Sequence, residues 1–358
     1  MRFSLLYEIA LPRELEEAGR TESDVFWEAV EQIRYAEEVG FDTVWLVEHH
    51  FLEDLSRSSA SEVFLAAIAQ HTRRIRIGLG VCLMPPPYNH PFKVAEKVAS
   101  LDIASRGRVE FGCGRSTTAE ELDGFGVDAA QAREMMVEAM RVVPQMWRQR
   151  EFPGYQGRHM TLPRRVVVPK PVQKPHPPMW MACGSPSSFQ LAGELGVGCL
   201  SFTITSPDEL NKSLQHYREA LKSAEPVGDF INRNIAGFTT LYVGDNDAEA
   251  RNRGGINSIG HHKRVIGYFG DVSSRSGYNE VSDSRQGREG AVGADVEAAI
   301  ADGLICCGGV ETVEKIIRRW EAIGIDEFMG IVQFNEVSHQ ESMRTIRLMG
   351  EQVIPRFK

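Results

Sequence analysis

Glu48, His49 and His50 follow directly on a short apolar run, residues 43–47. The run predicts a buried strand, because it is rich in β-branched and aromatic side chains and carries no charge. A carboxylate beside imidazoles can exchange protons near neutral pH, since histidine is the side chain that titrates there. The alternative is that the two histidines only end the strand and bond to neighbouring loops, because adjacent side chains point to opposite faces of a strand.

Three further predicted strand ends carry glycine or small polar residues. Residues 78–82 (GLGVC) place two glycines in a strand, where a flat ligand could approach the backbone or a barrel could bend tightly. Residues 112–116 (GCGRS) end a strand with a cation and a hydroxyl, which predicts an anion site. Residues 183–188 (CGSPSS) open a helix whose first amides could bind phosphate, unless Ser185 only caps that helix.

Strands and helices alternate through most of the chain, and this alternation must position the four stretches. The predicted strands are residues 2–7, 41–47, 75–83, 108–112, 179–183, 198–202, 235–243 and 327–334. The predicted helices are residues 23–39, 61–72 with Ser61 as cap, 91–104, 129–150, 186–195, 208–223, 310–323 and 340–353. About eight such units close a parallel barrel, so we predict an α/β fold, a (β/α)8 TIM barrel whose strands carry the chemistry at their carboxyl ends.

Two stretches interrupt the alternation. Residues 151–178 combine prolines with short β-branched runs, which predicts an inserted region of irregular hairpins. Residues 254–293 are rich in Gly, Ser, Arg and Asn, and predict a long polar loop that is either disordered or a lid over a site; in an enzyme we favour the lid loop. Because no linker or fixed-period repeat divides the chain, we expect one domain over residues 1–358.

The composition narrows the class of protein. With 358 residues, 42% of them hydrophobic and 25% charged, the chain can bury a full core. The net charge of -9 argues against a nucleic-acid partner. We expect a cytoplasmic protein without a membrane partner, since no apolar run reaches the roughly 18–20 residues of a span and no signal peptide is evident. Six scattered cysteines without a CxxC spacing predict free thiols.

Several motifs in a fixed order resemble those of one protein family. Residues 101–116 (LDIASRGRVEFGCGRS), preceded by residues 89–96 (NHPFKVAE) and residues 48–51 (EHHF), closely resemble the bacterial luciferase-like flavin monooxygenases. The similarity extends from residue 1 to residue 356 and is interrupted mainly in the two irregular stretches. Each motif alone is weak, but their order on a barrel-like alternation supports the resemblance.

The resemblance implies roles for the residues after the second strand. His49 falls where the luciferase α subunit has its catalytic histidine, which implies acid/base catalysis or assistance to a flavin hydroperoxide. Glu48 and His50 would orient His49 or line the same pocket. No metal is implied. A barrel metallohydrolase using His49 and His50 is a remaining alternative, although it lacks further His and Asp ligands at strand ends.

The resemblance also implies a set of cofactor-binding residues. Two arginines and a serine fall on positions at the flavin phosphate, a dianion that suits bidentate arginines and helix amides. Two residues of the third strand fall where the family commonly has a non-prolyl cis peptide against the flavin ring. The implied set is Gly80, Val81, Arg115, Arg133, Gly184 and Ser185.

Two departures from luciferase bear on the chemistry. The luciferase cysteine close to the flavin corresponds to Gly114, so that thiol is absent, although Cys82 or Cys113 could lie nearby. Residues 85–88 (PPPY) form a short insertion relative to luciferase, which we expect at the pocket mouth. The insertion puts an aldehyde substrate in doubt.

The function implied by the resemblance is monooxygenation in a two-component system. Reduced FMN would come from a separate NAD(P)H:flavin reductase, O2 would be the co-substrate, and one oxygen atom would enter a small organic substrate through a flavin 4a-hydroperoxide. A homodimer is expected from the same resemblance. Two alternatives remain open: a deazaflavin-dependent oxidoreductase of the same fold, and a non-catalytic flavin-binding accessory subunit.

Overall fold

Eight parallel strands close into a barrel in the computed structural model, which describes residues 1–270 and 295–358. The strands are β1 (Arg2–Tyr7), β2 (Thr43–Leu46), β3 (Arg76–Leu83), β4 (Val109–Gly114), β5 (Tyr155–Gln156), β6 (Thr161–Leu162), β7 (Met179–Cys183), β8 (Gly198–Ser201), β9 (Ile235–Val243), β10 (Cys306–Gly308) and β11 (Glu327–Ile331). The barrel order is β11, β1, β2, β3, β4, β7, β8, β9, and β9 closes it by pairing with β11. The predicted TIM barrel is confirmed.

Helices connect the strands and cover the barrel. Their bounds are Arg13–Glu17, Glu22–Val39, Ser61–His71, Pro91–Ala104, Ala119–Gly124, Ala132–Arg148, Pro186–Glu194, Pro207–Ala220, Asp247–Ala250, Ile256–Gly270, Val296–Ala301, Val310–Ala322 and His339–Leu348. Short 3₁₀ and π turns extend some of them at Leu221–Ser223, Arg251–Gly255, Met349–Val353 and Ile354–Phe357. Among the helices described, none is long and apolar enough to cross a membrane.

The first long helix shows how local sequence sets these bounds. Thr21 and Asp24 form a capping box at its start, in which each side chain accepts from the backbone amide of the other residue. Gly40 ends the helix with φ 101°, a left-handed conformation that glycine adopts without steric cost. The apolar positions between these ends form a buried face, so the helix packs on the barrel as its periodicity predicts.

A pair of tryptophans fills the barrel interior towards the amino ends of the strands. The rings of Trp45 and Trp180 meet edge to face at 5.5 Å between centroids. Their Nε1 atoms donate to the buried carboxylates of Glu327 and Glu110, each at 2.6 Å. A Cβ at Gly78 would lie 2.2 Å from the Trp45 ring, so this glycine is required by barrel packing. The interior is closed here, which leaves the carboxyl ends of the strands for a pocket.

The prediction of a loop over residues 254–293 is wrong for its first half. Residues Ile256–Gly270 form a helix, and residues 271–293 of the expected lid lie outside the described residues. The apolar periodicity of the sequence does not predict this helix, because its buried face carries polar side chains. The buried polar residues are Asn257, Ser258, His261 and His262. Polar residues can fill a core-facing side only where other polar groups or a cavity meet them.

Other differences from the sequence prediction are smaller. Ser61 is the first residue of its helix and Ala60 is the N-cap, so the expected cap is displaced by one position. Three short elements, the helix Ala119–Gly124, the strand β10 and the helix Val296–Ala301, were not predicted. The insertion at residues 151–178 does form a hairpin, in which β5 and β6 pair antiparallel.

Candidate active site

The carboxyl ends of the barrel strands surround a pocket of about 1260 Å³, including its part open to solvent. The ends of β1, β2, β3, β4, β7 and β8 form its wall, together with β9 and the helix Ile256–Gly270. The structure brings eight predicted site residues to this wall: Glu48, His49, Gly80, Val81, Arg115, Arg133, Gly184 and Ser185. His50 is not among the described lining residues.

His49 is held by a buried carboxylate that the sequence reading missed. The Nδ1 atom of His49 lies 3.0 Å from Oε1 of Glu121, whose side chain is fully buried. Glu121 also accepts from the amide of His50 at 2.9 Å, from Oγ1 of Thr118 at 2.8 Å, and from the hydroxyl of Ser116. Four donors therefore fix this carboxylate, and through it the orientation of the His49 ring.

The charges of the pair favour a proton on His49. Burial lowers the pKa of His49, but Glu121, Glu8 and Glu48 raise it by more, and the net shift is upward. Burial raises the pKa of Glu121, but His49 and the hydrogen bonds lower it by more. The net effect is a pKa below the ordinary range of a glutamate. The arrangement stabilises an imidazolium and a carboxylate, with Nδ1–H donated to Glu121 and Nε2 on the other side of the ring.

The local sequence identifies Glu121 only as part of the start of a helix, and not as a partner of His49. Thr118 and Glu121 have the spacing of a capping box directly after β4, and Thr118 does cap the helix Ala119–Gly124. Nothing in that spacing points to His49, which lies 72 residues away in the chain. The contact arises because β2 and β4 end at the same face of the barrel.

Glu48 links two strand ends. Its Oε2 accepts the Leu83 amide at 3.0 Å, and its Oε1 accepts Nδ2 of Asn89 at 2.8 Å and lies 3.3 Å from Nε2 of His50. The His50 ring packs edge to face on Phe125 at 4.8 Å between centroids. These contacts join Glu48 and His50 to each other and to residues of neighbouring segments.

The wall formed by β3 and β4 is glycine-rich for steric reasons. The peptide bond between Gly80 and Val81 is cis, as the family resemblance implies. A Cβ at Gly114 would lie 2.3 Å from Cγ2 of Val81, so Val81 fills the space that a side chain at position 114 would need. A larger residue at Gly114 therefore requires this wall to move.

The cysteine that lines this pocket is neither Cys82 nor Cys113, the two that the sequence suggested. Cys82 and Cys113 are register partners across β3 and β4, and both are fully buried outside the described lining. Cys183, at the end of β7, does line the pocket. Burial raises the pKa of both Cys82 and Cys113, so they are thiols and not thiolates at neutral pH.

Cations and hydroxyls converge at another part of the wall. Nη2 of Arg133 donates to Oγ of Ser187 at 2.9 Å, and Oγ of Ser185 lies 3.3 Å from the same oxygen. Arg115 lines the pocket from the segment that follows β4. Two guanidinium groups and serine hydroxyls are donors suited to a phosphate dianion.

The helix Pro186–Glu194 begins at this cluster. Ser185 is its N-cap residue, which agrees with the capping alternative. The amides of Gly184 and Ser185 donate to Oγ of Ser188 at 3.0 Å and 2.9 Å, and this hydroxyl donates to the Ser185 carbonyl at 2.7 Å. Ser185 thus caps this helix and also lies near Arg133, since both contact the Ser187 hydroxyl.

A second buried carboxylate, Glu8, reaches the pocket from the end of β1. It is 7% exposed, and burial raises its pKa to about 7 although His49 lowers it. Its Oε2 lies 3.6 Å from Nε2 of His261 on the helix Ile256–Gly270. The sequence analysis missed both residues. The position of Glu8 directly after β1 could have marked it as a site residue, whereas His261 falls in the stretch that was predicted as a loop.

No three His, Cys, Asp or Glu side chains stand close enough to hold a metal ion within residues 1–270 and 295–358. The metallohydrolase alternative therefore gains no support from the part of the chain that the structure describes.

Comparisons with known proteins point to one family. A family model described as luciferase-like monooxygenase matches residues 1–327. Limonene 1,2-monooxygenase from Rhodococcus erythropolis is 26% identical over 339 residues, 92% of this chain and 80% of that protein. The oxygenase component of a flavin-dependent trigonelline monooxygenase from Acinetobacter baylyi is 27% identical over 256 residues, 70% of this chain and 67% of that protein.

Solved structures share the whole fold. Monooxygenase RslO1 from Streptomyces bottropensis superposes with a TM-score of 0.82 at 26% identity and covers 100% of both chains. The oxygenating constituent of 3,6-diketocamphane monooxygenase from Pseudomonas putida, in complex with FMN, gives 0.78 at 19% identity, covering 99% and 98%. An F420-dependent secondary alcohol dehydrogenase gives 0.73 at 18% identity, covering 100% and 99%. The last two show the barrel fold alone.

Proposed function

This chain belongs to the luciferase-like monooxygenase family, a class of oxidoreductases, and we propose that it is an FMN-dependent, two-component member. A separate NAD(P)H:flavin reductase supplies reduced FMN, O2 is the co-substrate, and one oxygen atom enters a small organic substrate. The observation that carries the proposal is that His49, held by Glu121, lines the same pocket as Arg133 and Ser185.

The residues present fit a flavin mononucleotide. Arg115, Arg133 and Ser185 would hold the phosphate, because all three line the pocket and Arg133 and Ser185 both contact the Ser187 hydroxyl. Gly80 contributes no side chain to the wall between β3 and β4, and Val81 fills the space beside Gly114, which suits a flat ring. Reduced FMN, when bound, supplies the electrons that activate O2.

The protein contributes proton handling and exclusion of water. His49 keeps a proton on Nε2 for donation into the pocket, while Glu121 holds Nδ1–H and stabilises the charged ring. Phe202, Phe238 and Phe269 make the substrate end of the pocket apolar. An apolar wall strengthens the electrostatic effect of His49 and protects reactive species from water.

The test is turnover with reductase-supplied reduced FMN, with oxygen uptake followed by electrode and products by mass spectrometry in a panel of ketones, terpenes, amines and aromatic compounds. The expected result is substrate-stimulated oxygen uptake and a product 16 mass units heavier. The proposal fails if no panel member raises oxygen uptake or yields an oxygenated product.

The deazaflavin alternative is tested in the same assay. F420-dependent enzymes share this barrel fold, although at 18–19% identity. Hydride transfer to or from a deazaflavin needs no oxygen, so an anaerobic reaction with F420 at the aerobic rate would favour it. Loss of product under anaerobic conditions favours the FMN monooxygenase.

A further inference from the structure

The carboxyl group of Glu8 has no hydrogen-bond partner among the described residues for its buried Oε2 atom. The residue lines the pocket directly after β1, and its backbone carbonyl accepts the Ser56 hydroxyl at 2.7 Å, which fixes its position. A buried carboxyl oxygen without a hydrogen-bond partner costs free energy. A ligand that completes the hydrogen bonds of the carboxyl group would offset this cost.

His261, which lies next to Glu8, also has a buried ring nitrogen without a hydrogen-bond partner among the described residues. This nitrogen is Nε2, which stands 3.6 Å from Oε2 of Glu8. Burial, together with the smaller effects of His262 and Arg264, lowers the pKa of His261 to about 3, so the ring is neutral and Nε2 can accept. A proton on Oε2 of Glu8 would point at this nitrogen, which leaves Oε1 as an acceptor towards the pocket.

Apolar side chains share this pocket with Glu8: Leu6, Phe238, Val265 and Phe269 line it from β1, β9 and the helix Ile256–Gly270. Among the residues that the structure describes, the titratable groups that face Glu8 are His49 from the end of β2 and His261 from that helix. A buried acceptor in a partly apolar pocket favours a ligand whose polar group can pair with it.

We propose that Glu8 is a substrate-binding residue, and that the substrate is an apolar molecule carrying a hydroxyl or amine that donates to Glu8. This inference rests on the proposed function only in taking this pocket as the substrate site. Both protonation states of Glu8 keep an acceptor oxygen for the ligand. An amine gains additionally when Glu8 is ionised, since the pair is then charged.

The test is equilibrium dialysis with the full chain, saturated with oxidised FMN, against matched probes: limonene and perillyl alcohol, ethylbenzene and 2-phenylethanol, and ethylbenzene and 2-phenylethylamine. The wild type should bind the alcohol or amine about tenfold more tightly than the hydrocarbon of the same pair. Glu8→Leu should abolish that preference and leave hydrocarbon binding within threefold. Glu8→Gln keeps an acceptor, so it should retain the preference for alcohols and lose that for amines.

Glu219→Gln, an exposed carboxylate on the helix Pro207–Ala220, is the matched control and should bind as the wild type does. Equal binding within every pair by the wild type, a preference that survives in Glu8→Leu, or no binding of any probe would each overturn the inference. Dialysis needs no turnover, so a protein that shows the preference but never consumes oxygen would contradict the proposed function and leave the role of Glu8 standing.

Discussion

Nδ1 of His49 lies 3.0 Å from Oε1 of Glu121, and the two residues are 72 positions apart in the chain. Glu121 is fully buried and fixed by donors from Ser116, Thr118 and the backbone of His50. The imidazole therefore has one orientation and a preference for its charged form. This relationship leads to the first two predictions.

Replacing His49 by alanine should reduce oxygenation by roughly 10²–10⁴-fold, because a positioned proton donor contributes rates of that order. The dissociation constant for FMN should change by less than threefold, since His49 is not part of the cluster around Arg133. Coupled turnover and flavin fluorescence titration measure the two quantities. Retained oxygenation would remove His49 from the mechanism.

Replacing Glu121 by glutamine should shift the pH dependence of turnover. The raised pKa of His49 depends on Glu121, so an uncharged amide should lower that pKa. Activity that needs protonated His49 falls as pH rises through its pKa, and the basic limb of the profile should therefore move to lower pH. Glu120→Gln, on the same short helix, serves as the control and should leave the limb where it is. An unmoved limb in Glu121→Gln would separate the carboxylate from the proton chemistry.

Replacing Arg133 by alanine should weaken FMN binding about 10–100-fold, the worth of a hydrogen bond to a charged group. Riboflavin, which lacks the phosphate, should bind the variant and the wild type alike. Arg141→Ala, further along the helix Ala132–Arg148, is the control for removing a guanidinium from that helix. If riboflavin binding fell by the same factor, Arg133 would not be acting on the phosphate.

Replacing Gly114 by cysteine, the residue of luciferase at this position, should lower the free energy of unfolding by about 1–3 kcal/mol. The new Cβ would stand 2.3 Å from Val81, and close-packed strands cannot absorb that overlap. Urea unfolding measures the loss. Gly267→Ala is the control, because a Cβ there meets nothing within 4 Å of the described structure; equal stability of wild type and Gly114→Cys would show that the wall yields freely.

Continuous apolar strands were predictable because their signal is local. Residues 2–7, 179–183 and 235–243 are strands with the bounds that the sequence indicated. The helix Pro91–Ala104 also matches, since proline in its first turn marks where it begins. Barrel order then followed from alternation, and with it the shared face on which the strand ends lie.

The partners of His49 and the helix Ile256–Gly270 were not predictable in the same way. Glu121 and Glu8 become neighbours of His49 only when β1, β2 and β4 are closed into a barrel. The helix buries asparagine, serine and histidine side chains, so the hydrophobicity pattern of this stretch predicts a loop. Both failures concern buried polar groups that meet other polar groups from distant parts of the chain.

The carboxylate of Glu121 holds His49 from the helix after β4, while Val265 and Phe269 reach the pocket from the helix Ile256–Gly270. On the proposed function, the group that handles protons and this part of the substrate wall belong to separate pieces of the chain. A substitution at Val265 would then alter which molecules are accepted while Glu121 still holds His49, whereas Phe269 packs edge to face on the His49 ring at 5.9 Å between centroids. Such modularity would let one reaction be inherited while its substrate range diverges.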